Sequence, residues 1–185
     1  PSTTTKMATE LSGIAAVGLI PKESPASLKK GGKPITVGIP KETSTEEKRV
    51  VLSPEAVRIL SQNGIEVLVE TQAGERAKFS DQQFSDVGAK IAYSSKEVFA
   101  ADVVVKVNAP TEKEIADMSS GACLISALQL EKQESSYIQA LNAKKITALA
   151  FEYLEDKVGG MPVVRAMSEI AGSTVMLIAS EYLSS

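Results

Sequence analysis

From Ile35 onward the chain alternates between short apolar runs and stretches with a helical period. The runs "ITVGI" (35–39), "EVLVET" (66–71), "KIAY" (90–93), "DVVVKVN" (102–108), "ACLISAL" (122–128) and "ITALAFEYL" (146–154) predict six strands. Between the first two, "SPEAVRILSQNG" predicts a helix capped by Ser53, with Pro54 at its first position and Gly64 beyond its end. "SDQQFSDVG" predicts a short helix capped by Ser80 and stopped by Gly88, and "SKEVFA", "TEKEIADM" and "EKQESSYIQALNAKK" predict three more. Strands that read as nearly continuous Val, Ile, Leu and Ala are expected to be buried on both faces. Strict alternation of such strands with helices predicts βαβ units and a parallel sheet. The fold class is therefore α/β, a doubly wound parallel sheet.

Both ends depart from this pattern. Residues 1–33 are rich in Ser, Thr, Pro and Gly without a sustained period, and are expected to form a flexible or docking N-terminal arm. Their apolar core, Ile14 to Ile20, is shorter than the ~20 residues of a membrane span. A compact basic start and a small-residue cleavage site are absent, so neither a signal peptide nor direct membrane insertion is expected. Residues 34–166 make the α/β domain. At the far end, "GGMPVVRAMSEIAGSTVMLIASEYLSS" predicts a linker and then a helix from about Met167. Ile170, Val175, Ile178 and Leu183, with Ala and Gly between them, make that helix apolar almost all round, the kind buried between elements. Residues 167–185 thus read as the start of a linking helix to a further domain, and arm and helix together suggest a homo-oligomer.

Composition removes several function classes. A net charge of −3 with both signs mixed, and 4% aromatic residues, leave no footprint for nucleic acid. The single cysteine, Cys123, lies in an apolar run, cannot form an internal disulfide, and reads as a small core residue in a reducing, cytoplasmic setting. No histidine is present, which excludes His-based triads, metal sites and general bases within this chain. Proton transfer would fall to Lys, Glu, Asp or Tyr, or to groups outside this chain.

Ligands of doubly wound sheets bind beyond the carboxyl ends of the strands. Three side chains are expected at that edge: Arg49 after strand one, Lys106 near the end of strand four, and Gln129 after strand five. A guanidinium, an ammonium and an amide around one crevice suit a small carboxylate or keto acid. Arg49 also has Glu42, Glu46 and Glu47 within reach as ordinary loop partners. Lys106 stands in an otherwise apolar strand, where an ammonium needs a partner or a cavity. The turn after strand one reads "GIPKETS", and no G-x-G-x-x-G occurs in the chain. The domain is therefore Rossmann-like without the phosphate-binding turn, the substrate half of something larger.

The blocks "ITVGIPKETSTEEKRVVLSPEAV", "QAGERAKFSDQQFSDVGAKI", "ADVVVKVNAP" and "MPVVRAMSEIAGS" resemble the alanine dehydrogenase and NAD(P) transhydrogenase α-subunit family over roughly residues 35–183. The resemblance implies an N-terminal substrate domain of an NAD-dependent oxidoreductase converting L-alanine to pyruvate and ammonia, or acting on a related amino or keto acid. It implies that NAD is bound mainly by a domain absent from this chain, so the chain alone is expected to be inactive. It further implies that Arg49 and Lys106 bind the substrate, that Lys106 and Gln129 take catalytic roles, and that Met167 faces the nicotinamide edge of the cofactor. No metal is implied. Where alanine dehydrogenases carry a Leu-His-Leu acid–base, this chain reads Leu128-Gln129-Leu130. Glutamine cannot exchange a proton near neutral pH. "SALQLEKQ" is similar to the transhydrogenase α subunit, which would bring a membrane partner subunit. The direct step from Arg165-Ala166 to "MSEIAG" is the shorter, dehydrogenase-like form.

Overall fold

A computed structural model describes residues 33–184; apart from Lys33, the expected N-terminal arm lies outside the described residues. Six strands form one parallel sheet: β1 (Thr36–Ile39), β2 (Glu66–Glu70), β3 (Lys90–Ala92), β4 (Val103–Asn108), β5 (Cys123–Ala127) and β6 (Thr147–Ala150). Their order is β3-β2-β1-β4-β5-β6, so the topological switch falls between β1 and β4. That seam is thin. β1 pairs with β4 only at Val37↔Val103 and Gly38↔Val104, whereas β1 pairs with β2 from Thr36↔Glu66 to Ile39↔Val69.

The helices start where their caps dictate. Helix α1 (Pro54–Gln62) is capped by the Ser53 side chain, and α2 (Asp81–Asp86) by a reciprocal Ser80–Gln83 box. After α3 (Ser95–Phe99) comes α4 (Glu112–Asp117), with a second such box between Thr111 and Glu114. Gly64 and Gly88 take positive φ beyond α1 and α2, as a helix stop requires. Gly38 in β1 serves close packing: a Cβ there would collide with the Val98 carbonyl oxygen of α3.

Two apolar cores flank the seam. Ile39, Val57, Val67, Val69 and Phe84 form one with α1 and α2, and Val104, Ile115, Leu124, Leu128 and Tyr137 form the other beneath α4 and α5 (Ser135–Ala143). The expected two-sided burial of every strand does not hold. β4 and β5 bury alternate residues, and β6 leaves Thr147 and Leu149 exposed. Helices α4 and α5 cover one face of this half-sheet, and no described element covers the other.

Three further boundaries differ from expectation. The last strand stops at Ala150, and Phe151–Tyr153 turn into a 3₁₀ helix. A 3₁₀ turn over Leu130–Lys132 delays α5 to Ser135. The terminal helix α6 (Pro162–Ser184) starts five residues before Met167, because Pro162 supplies a preset first turn. None of its residues is buried, contrary to the expected burial between elements; Ile170, Met176, Leu177 and Leu183 all face outward. With a mean hydropathy of 1.3 over its most apolar 18 residues, it is long and apolar enough, by length and composition, to cross a membrane. Cys123 is half-buried at the head of β5 rather than deep in the core, and burial raises its thiol pKa.

Candidate functional site

The charged segment after β1 crosses the carboxyl edge and is tied to both halves of the sheet. On the β2 side, the Lys41 backbone N–H donates to Glu70 Oε2 (2.8 Å) and its ammonium to Gln72 Oε1 (2.9 Å). Arg76, on the 3₁₀ turn Glu75–Ala77, donates to the carbonyl oxygens of Ser44 (2.6 Å) and Glu47 (3.3 Å). On the β4 side, Glu42 Oε1 accepts the Val107 backbone N–H at 2.7 Å and Oε2 accepts the Lys106 ammonium at 2.9 Å.

Arg49 stands at the outer end of the loop. Its Nε donates to Glu47 Oε1 (2.7 Å) and its Nη2 to Glu47 Oε2 (2.6 Å), while the backbone N–H of Arg49 adds a third bond to Oε1 (2.9 Å). These hydrogen bonds hold the Glu47 carboxyl below its ordinary range and raise the guanidinium pKa, with smaller contributions to the latter from the charges of Glu47 and Glu42. Glu47 is buried, but the Arg49 side chain is 52% exposed. A guanidinium offers five N–H groups. Glu47 occupies the Nε edge, and the Nη1 end faces Met167 Sδ at 3.7 Å. Two of the expected site residues, Arg49 and Met167, are thus neighbours across 118 positions of sequence.

Lys106 departs from expectation. It is 1% exposed, its Nζ lying 2.9 Å from Glu42 Oε2 and 3.7 Å from Glu114 Oε1, so it does not open onto the crevice. Alternation along β4 points it into the core under α4, and the two buried carboxylates satisfy a charge that could not stand alone there. Glu114 is held by its capping box, its Oε2 accepting the Thr111 N–H (2.7 Å) and hydroxyl (3.0 Å). Burial, then the nearby Glu114 charge, pushes the Tyr137 hydroxyl up to about 12.

Gln129 does lie at the carboxyl edge, exposed, in a left-handed conformation (φ 45°, ψ 52°). Its backbone N–H donates to Glu152 Oε1 (2.8 Å), and its side-chain Oε1 accepts the Lys132 ammonium (2.9 Å). Arg49 with Met167, Lys106 with Glu42, and Gln129 with Glu152 therefore form three separate groups, and no hydrogen bond or ion pair joins Arg49, Lys106 and Gln129 to one another among the described residues. Glu42, Glu47, Arg76, Glu114 and Glu152 were not singled out from the sequence as parts of the site. The Thr111-x-x-Glu114 spacing was a signal that could have placed Glu114, and Glu47 stands two residues from Arg49; Glu42, Arg76 and Glu152 depend on contacts distant in sequence.

The edge does not fit a dinucleotide phosphate. The turn after β1 is filled by Pro40, Lys41 and the buried Glu42, and Gly38 is used for packing against α3. A carboxylate where a pyrophosphate would sit repels it.

Residues 38–171 match the family model described as "Alanine dehydrogenase/PNT, N-terminal domain". The NAD(P) transhydrogenase subunit alpha of Haemophilus influenzae is 35% identical over 151 residues, covering 80% of this chain and 29% of that protein. The alanine dehydrogenase of Staphylococcus epidermidis is 37% identical over 147 residues, covering 80% of this chain and 39% of that protein. Among solved structures, an L-alanine dehydrogenase matches with a TM-score of 0.71 at 36% identity, over 75% of this chain and 38% of its own. The transhydrogenase from Sinorhizobium meliloti matches with a TM-score of 0.60 at 32% identity, over 64% and 35%. The chain spans 29% and 39% of the length of the two curated relatives.

Proposed function

The chain belongs to the alanine dehydrogenase/PNT family, whose N-terminal domain it carries, and from that premise we propose that it is the substrate-side half of an NAD-dependent oxidoreductase interconverting L-alanine with pyruvate and ammonia, or acting on a related amino or keto acid. The observation that carries this reading is the half-used guanidinium of Arg49. Glu47 fixes one edge of it through two hydrogen bonds, which holds the fork rigid, while Nη1, against only the weak acceptor Met167 Sδ at 3.7 Å, and the second N–H of Nη2 are left for a ligand at the edge where α/β sheets take them. A substrate carboxylate binds there in the same forked geometry.

In this proposal the Gln129 amide donates to the keto oxygen. Lys106 reaches substrate only when Glu42 withdraws; while the pair stays closed, Lys106 positions the charged loop that presents Arg49. NAD supplies hydride transfer when bound, and its phosphates are held outside this chain, with Met167 at the cofactor-facing side of Arg49. The protein works in the cytoplasm as a homo-oligomer.

A second reading has its own support. With Lys106 closed off by Glu42 and a glutamine in place of a proton-exchanging group, the domain also suits the α subunit of an NAD(P) transhydrogenase, supporting NAD without binding a substrate acid, beside a membrane partner subunit. The test uses the full-length protein. NADH oxidation with pyruvate plus ammonium that collapses on Arg49→Ala supports the dehydrogenase. No such turnover, with hydride exchange between NADH and an NADP analogue once a partner subunit is added, moves the assignment to the transhydrogenase.

A further inference from the structure

A site that handles both an amino acid and its keto acid needs two kinds of contact at one carbon. The keto oxygen needs a donor, and the ammonium that replaces it needs an acceptor. Arg49 and Lys106 can only donate. Among the carboxylates of the carboxyl edge, Glu47 is engaged by Arg49 through both oxygens, and Glu42 by Val107 and Lys106. Glu70 Oε2 accepts the Lys41 N–H, and Gln129 Oε1 is taken by Lys132.

Glu152 differs. It sits in the 3₁₀ turn Phe151–Tyr153, directly beyond β6, and its Oε1 accepts the Gln129 backbone N–H at 2.8 Å. Its Oε2 is shut off from solvent and has no hydrogen-bond partner among the described residues. The other buried side-chain oxygens in that condition are the hydroxyls of Ser61, Ser126 and Tyr137. A lone hydroxyl is tolerated more readily than a lone carboxylate oxygen, whose desolvation is far more costly. We propose that Glu152 Oε2 is the acceptor for the ammonium group of the amino-acid substrate, on the side chain whose other oxygen holds the backbone of Gln129. Glu152 thereby also fixes Gln129 in its left-handed conformation, so one side chain sets both contacts. The proposal rests on the amino-acid dehydrogenase reading above.

The test compares equilibrium binding of L-alanine in the presence of NADH with that of pyruvate in the presence of NAD, pairs that cannot react, in full-length protein. Glu152→Gln keeps an oxygen for the Gln129 N–H and removes the charge. It is expected to weaken L-alanine by about 10- to 100-fold and to leave pyruvate within about two-fold. Equal weakening of both ligands, or of neither, overturns the proposal: Glu152 would then only hold the Gln129 backbone, or do less. Wild-type protein that binds neither ligand refutes the dehydrogenase reading and takes this proposal with it. A comparison needing no variant sets L-alanine against L-lactate, which carries a hydroxyl in place of the ammonium, on wild-type protein with NADH. Alanine is expected to bind at least about 10-fold tighter; equal affinity overturns the proposal.

Discussion

Replacing Lys106 by methionine in the 185-residue chain removes an ammonium while keeping a stem of similar volume. The consequence follows from what it leaves behind. Glu42 and Glu114 stay buried at 6% and 8% exposure, each with backbone hydrogen bonds but without a counter-charge. Breaking a buried pair in this way costs about 3–5 kcal/mol. With a urea m-value of about 2 kcal/mol/M, the midpoint falls by roughly 1.5–2.5 M. Urea titrations followed by far-UV circular dichroism measure that shift. Lys106→Met combined with Glu42→Gln removes one of the stranded charges as well. It is expected to recover about 1–3 kcal/mol, a coupling that non-interacting sites would not show. A single variant that loses less than about 1 kcal/mol, or a double variant that loses the sum of the singles, refutes the reasoning. Either result would mean that the ammonium does not reside between Glu42 and Glu114, and would return Lys106 to the open crevice as a direct substrate contact.

Gly38→Ala forces a Cβ against the Val98 carbonyl and is expected to destabilise by about 1–3 kcal/mol or more, read as a lowered urea midpoint. Thr111→Ala opens the capping box of α4 and is expected to cost about 1 kcal/mol, with an added loss where Glu114 is less well placed to support Lys106. Asp102 accepts the Thr36 N–H and hydroxyl, and Glu47 accepts from Arg49, so both carboxyls are held below their ordinary values of 3.8 and 4.5. Folded values below unfolded ones mean that this stabilisation is complete above the ordinary range and is lost as pH falls through the folded values. Asp102→Asn and Glu47→Gln are therefore expected to be less stable than wild type at pH 7 and to converge with it in acid, in urea midpoints measured against pH.

The strands were legible because their runs are short, apolar and separated by strong stops such as Gly64 and Gly88. Caps at Ser53 and Ser80 were legible for the same local reason, a side-chain oxygen three residues ahead of the N–H it serves, and the unread cap at Thr111 has the same spacing. The end of β6 was not, since "FEYL" continues the apolar run that "TALA" begins, and only packing decides where it turns. Nor could composition distinguish one-sided from two-sided burial in β4 and β5, because Val, Ala and Ile suit either. Topology alone carried Arg49 and Gln129 to the carboxyl edge. The closure over Lys106 was beyond it: the decisive partner, Glu42, lies 64 residues away in a loop without periodicity.

The thin seam between β1 and β4 gives the domain a mechanical character. Each side has an apolar core of its own, like the boards of a book bound along a narrow spine, and α3 lies across that spine, packing on β1 and β2 while its Phe99 joins the core under α4 and α5. A clasp fastens each end of that spine, Asp102 on Thr36 at the foot and Glu42 on Lys106 and Val107 at the head. Arg49 rides on one board, and Gln129 and Glu152 on the other. The two sides are therefore fastened to each other by two carboxylates, one at the foot of the spine and one at its head.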